Sequence, residues 1–149
     1  MATTSSEVYD LFMQVVTDYR LIDLFNLSET DFETYLEAWL LFSINEFDIC
    51  DQDLTYSDGS FSETITTENK LILATLMMKY WLQKDVNDIT QFRLHITDRD
   101  FKVASEALNL REKTAYFNII KEQCSQMLNN YEFKKLDWDS WRNQEFEGD

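Results

Sequence analysis

Leu71-Ile72-Leu73-Ala74-Thr75-Leu76-Met77-Met78-Lys79-Tyr80-Trp81-Leu82 decides the fold. Only Thr75 and Lys79 interrupt its apolar side chains. A helix with no polar face is buried on most sides, so this segment reads as the central helix of the core. Thr66 or Thr67 caps its start, and the helical signal runs to about Gln83.

Upstream, Phe61 to Ile65 favours a short extended piece. Asp51-Gln52-Asp53-Leu54-Thr55-Tyr56-Ser57-Asp58-Gly59-Ser60 clusters turn residues without periodicity and reads as a loop. Before it, Ser28-Glu29-Thr30-Asp31 is an N-cap followed by acids that suit the positive end of a helix dipole. Phe32, Leu36, Trp39, Leu40, Ser43 and Phe47 then follow one helical face to about Ile49. The first helix is expected from Ser6-Glu7 through Val8, Phe12, Val15, Val16 and Tyr19, with a short link through Asn26.

Downstream, Lys84–Ile96 reads as a linker. Thr97 or Asp98 caps a last helical region carrying two stripes. Phe101, Ala104 and Leu108 form the first; Leu110, Phe117, Ile120, Cys124, Met127 and Tyr131 form the second. Arg111-Glu112 interrupts the first stripe, which predicts a kink or break near Asn109. Residues 132–149 hold large apolar side chains without a helical stripe. The expected protein is all-α: a bundle of four to five helices around a buried central helix (residues 1–131), followed by an extended C-terminal arm (132–149).

Composition supports this. Pro is absent, and Gly occurs only at Gly59 and Gly148. Sandwiches and barrels need many turn residues, and Gly-rich phosphate loops cannot be written. The net charge is −15, and Arg20 is the only cation in residues 1–66, against fourteen acids. Such a field repels phosphate backbones and anionic membranes and suits a basic protein partner. Cys50 and Cys124 stand far apart, which fits a reducing compartment. The N-terminus lacks the features of a signal peptide. The apolar stretches are broken well short of a membrane span.

No residue set marks a catalytic centre. His95 is the sole histidine, so triad chemistry must run through it, yet no nucleophile motif lies nearby. Asp48, Asp51, Asp53 and Asp58 suggest a calcium loop. Counted from Asp51, however, the sixth and twelfth positions are Tyr56 and Ser62 instead of Gly and Glu. No metal or cofactor is expected. Trp39 and Trp81 lie on apolar helical stripes and read as core. Trp138 and Trp141 lie beyond the last stripe and read, with Phe133, Leu136, Arg142 and Phe146, as partner-binding residues.

The segments Ile72-Leu73-Ala74-Thr75-Leu76-Met77, Trp81-Leu82, Asp98-Arg99-Asp100-Phe101-Lys102, Ser105-Glu106-Ala107 and Asn109-Leu110 resemble the head–tail connector (portal adaptor) proteins of tailed bacteriophages. Val8-Tyr9 with Phe12, Thr17-Asp18-Tyr19 and Asp53-Leu54 belong to the same pattern, which spans residues 7–131. The resemblance implies a non-enzymatic virion protein, assembled in the host cytoplasm as a ring of usually twelve copies beneath the portal. Its C-terminal arm would reach the portal protein, and its other face the next neck or tail-completion protein. The charge alone leaves an alternative: an acidic soluble module that inhibits or regulates a basic, nucleic-acid-binding protein.

Overall fold

The computed structural model describes residues 1–16, 19–95 and 100–144. Among them are helices α1 (Ser5–Val15), α2 (Tyr19–Leu27) and α3 (Glu29–Glu46), then strands β1 (Tyr56–Ser57) and β2 (Ser60–Phe61). Helices α4 (Thr67–His95), α5 (Asp100–Lys134) and α6 (Trp138–Gln144) follow. The protein is all-α apart from the small hairpin. Helices α1, α3 and α5 pack against α4. From α4 come the buried Ile72, Leu73, Ala74, Leu76, Met77, Met78 and Leu82. Each large one of these contributes about 1.5–3 kcal/mol on burial. The central-helix reading of Leu71–Leu82 therefore holds.

The start signals work locally. Ser28 Oγ accepts from the Asp31 N–H at 3.2 Å and caps α3. Thr66 Oγ1 accepts from the Asn69 N–H at 3.3 Å at the head of α4. The first cap is Thr4 rather than Ser6: its N–H donates to Glu7 Oε1 at 3.3 Å, as the T-x-x-E spacing allows. Helix α1 ends at Val15 rather than continuing to Tyr19. Val15-Val16 are both β-branched, which weakens helix propensity, and Val16 turns extended with its side chain buried. The expected link through Asn26 is instead the helix α2, packed on α3.

Two further expectations are corrected. Lys84–His95 is a continuation of α4, not a linker. Polar contacts run along it: Lys84 pairs with Asp88 one turn on, and Thr90 Oγ1 donates to the Val86 carbonyl at 2.8 Å. Nor does α5 break at Asn109. Leu108, Arg111 and Glu112 are exposed, so at the point of the slip the helix has no core contact to lose. The side chains of Phe101 and Ala104 lie outside the described residues. Helices α4 and α5 run antiparallel. Glu68 faces Lys134 (2.5 Å), the Cys124 thiol donates to the Thr75 carbonyl (3.7 Å), and Asp85 faces Lys113 (2.6 Å). At 29 and 35 residues they are about 45 and 50 Å long.

The loop of residues 47–66 closes one end of the bundle. Asp58 and Gly59 both take positive φ, 48° and 77°, and make the tight turn between β1 and β2. The N-terminal strand lies along β2: Phe61 N–H donates to the Thr3 carbonyl at 2.9 Å, and Ser5 N–H to the Gly59 carbonyl at 2.9 Å. Buried Thr3 also receives the Ile65 N–H on its Oγ1 at 2.8 Å.

Candidate functional site

The last turn of α5 is fixed to the body of the domain. The Phe47 and Tyr131 rings meet edge to face, with centroids 5.0 Å apart. Lys135 lies over the Tyr131 ring at 4.7 Å and donates to the Ile49 carbonyl. The chain then turns. Lys135 N–H donates to the Glu132 carbonyl at 3.1 Å and Leu136 N–H to the Phe133 carbonyl at 3.2 Å. Asp137 caps α6, its Oδ1 accepting from the Asp139 N–H at 3.2 Å. The C-terminal segment, which shows no helical stripe in sequence, thus holds a one-to-two-turn helix.

This turn brings together four of the six residues expected to bind a partner. Phe133 and Trp138 stack with centroids 6.5 Å apart and planes 13° apart. Trp138 and Trp141, three positions apart, share a face of α6. Phe133, Leu136, Trp138 and Trp141 line an apolar hollow of about 440 Å³ with Asp137 at its edge. All four are between 49% and 68% exposed. Arg142 is exposed on the same helix. Phe146 lies outside the described residues. A surface cluster of large rings is costly in water and is a usual mark of an interface.

The acidic loop is tied together by its own hydrogen bonds. Asp53 Oδ1 accepts from the Thr55 N–H (2.9 Å) and hydroxyl (2.6 Å), and its Oδ2 accepts from Ser62 (3.0 Å). These donors hold its carboxyl below the usual range. Asp51 accepts from Tyr131 and from Asn69 (3.2 Å), which lowers its pKa likewise. Two of the four carboxylates that suggested calcium, Asp51 and Asp53, are thus engaged by the protein's own donors. His95 falls on the last turn of α4, not in a linker. Cys50 and Cys124 are free thiols, and burial pushes the Cys124 pKa up to about 11.

Sequence reasoning missed a second aromatic surface. Trp39 and Trp81, expected in the core, are only half-buried. Trp39 stands between Tyr35 (5.9 Å, edge to face) and Phe42 (6.2 Å), and Phe42 continues to Tyr80 of α4 at 5.4 Å. Trp39, Phe42 and Tyr80 line a groove of about 410 Å³ between α3 and α4. The available signal was a second stripe on α3, Tyr35-Trp39-Phe42, at helical spacing beside the buried one.

No family model matches this chain, and no curated protein or solved structure matches it.

Proposed function

We propose that the protein is a structural head–tail connector of a tailed phage, which forms a ring under the portal and links the capsid to the neck or tail. It works by binding, without a cofactor. Its ring is of about twelve copies, the number the resemblance implies; it sits in the virion at the head–tail interface. The observation that carries this reading is the exposed cup of Phe133, Leu136, Trp138 and Trp141 at the α5–α6 corner. It projects from a helix end braced by Tyr131 and Lys135, so its rings are presented at little entropic cost. The segments resembling portal adaptors add the identity of the partner, the portal protein.

Mixing the full chain with a portal ring from a candidate phage and imaging the product by electron microscopy tests this. Decorated portals are expected, and a chain ending at Leu136 should give bare ones. Decoration by the shortened chain, or none by either, would overturn the reading. The net charge of −15 favours a second reading, an acidic module that inhibits or regulates a basic nucleic-acid-binding protein. Such a module would stay monomeric or dimeric, and its binding would weaken steeply with salt.

A further inference from the structure

Helix α3 is apolar on two sides. Its first stripe, Phe32, Leu36, Leu40, Ser43 and Phe47, is buried against the rest of the domain. Its second, Tyr35, Trp39 and Phe42, lies beside that stripe: Tyr35 and Trp39 are partly buried against the edge of the core, while Phe42 is 52% exposed, with Leu41 exposed next to it. A surface helix of a self-sufficient domain needs only one such stripe. The second stripe meets Tyr80, Gln83 and Asn87 of α4 across an open groove that follows the helix axes. Two antiparallel helices with aromatic rungs between them accept a third helix, anchored by side chains at i, i+3 or i+4, and i+7.

Charge decides between occupants. The bases beside the groove are already engaged, Lys79 by Glu46 at 2.5 Å and Lys84 by Asp88. Asp31 and Asp48, near the two ends of α3, are exposed acids, and Arg20 is the only cation in residues 1–66. A second copy would bring another −15 against this field. A cationic helix is drawn in by it. We infer that the Trp39–Phe42–Tyr80 groove between α3 and α4 is a docking face for a cationic amphipathic helix of another protein. It is separate from the α5–α6 corner and stands or falls apart from it.

The test uses the full chain and a synthetic amphipathic helix of leucine and lysine, with a leucine–glutamate helix as its counterpart. Binding is read by anisotropy of a labelled peptide at low and high salt. The lysine helix should bind, more weakly at high salt, and the glutamate helix should not. Phe42→Ala should weaken binding about tenfold or more. As Phe42 is half-exposed, the variant should keep its helicity by circular dichroism. Asn87→Lys should weaken binding and Asn87→Glu strengthen it, a pair that needs no change in packing. Trp141→Ala should leave it unchanged. Equal binding of both peptides, or no effect of Phe42→Ala and the Asn87 pair, would overturn the inference. So would a concentration-dependent dimer that Phe42→Ala abolishes, which would make the occupant a second copy.

Discussion

Tyr131 and Asp51, 80 positions apart, exchange two hydrogen bonds: the phenol donates to the Asp51 carboxylate, and the Asp51 N–H donates to the phenol oxygen at 3.1 Å. Asn69 adds its own contact, donating to Asp51 at 3.2 Å and to Gln52 Oε1 at 2.8 Å. One buried ring thereby joins α5, the acidic loop and the head of α4. Burial raises the Tyr131 pKa, so the phenol remains a donor at neutral pH.

Tyr131→Phe should therefore cost about 1–3 kcal/mol, because it removes both bonds while keeping the ring. Thermal unfolding at pH 7 should show a fall of roughly 5 °C in a domain of this size. The pH dependence has a definite sign. The Tyr131 hydrogen bond, then that of Asn69, holds the folded Asp51 pKa below its ordinary 3.8. The stabilisation is present above that value and is lost as pH falls through the lower folded one. The gap between wild type and variant should be steady from neutral pH down to about 5 and narrow towards pH 3. A gap that widens in acid would contradict this account.

Neighbouring leucines on α4 should behave oppositely. Leu73 is fully buried, and Leu73→Ala should cost about 2–5 kcal/mol by opening a cavity. Leu71 is 47% exposed, and Leu71→Ala should stay within about 0.5 kcal/mol. Paired urea titrations measure both. Equal losses would mean that the two faces of α4 are wrongly assigned.

At the hairpin, Gly59 takes φ of 77°, and an added Cβ would meet only Ser5 Oγ at 3.8 Å. Space is available, so the cost of Gly59→Ala is backbone strain alone, roughly 1 kcal/mol. Asp58→Asn should be nearly silent, since Asn tolerates the left-handed region well. Chemical denaturation of the two variants should separate them clearly.

Removing α6 should spare the fold. A chain ending at Leu136 keeps the Tyr131–Asp51, Lys134–Glu68 and Lys135–Ile49 contacts. Its helicity and melting temperature should match those of the full chain, and its portal binding should be lost. Trp141→Ala, 68% exposed, should reproduce the binding defect with no loss of stability. Unfolding of the shortened chain would place α6 in the core.

Local pattern was enough for much of the fold. Ser28 and Thr66 cap the helices they were read to cap, because a side-chain oxygen reaches an N–H only two or three residues away. The apolar run from Leu71 marked the central helix, since a helix without a polar face has nowhere to go but inside. The Asp58-Gly59 pair is a hairpin signal inside the stretch that composition marks only as a loop. The continuation of α4 past Gln83 was not legible, because charged and amide residues crowd Gln83–Asp88; in the structure Lys84–Asp88 and Asp85–Lys113 pair along it. Of the cup's residues, Phe133, Leu136, Trp138 and Trp141 were legible as partner-binding candidates from their position past the last stripe. Their gathering into one cup depends on the turn at Lys135–Asp137, which no periodicity announces.

The amino-acid order by itself determined the helical class, the central helix and the lopsided acidic charge, all of which follow from composition and spacing along the chain. Tertiary structure alone decided which aromatic faces stay open. Trp39 and Trp81 sit on stripes as apolar as that of Leu73, yet both reach solvent. Periodicity records that a face is apolar; whether it is covered depends on which distant helix lies against it. Here α1, α3 and α5 cover one set of faces on α4 and leave the Trp39–Phe42–Tyr80 groove uncovered.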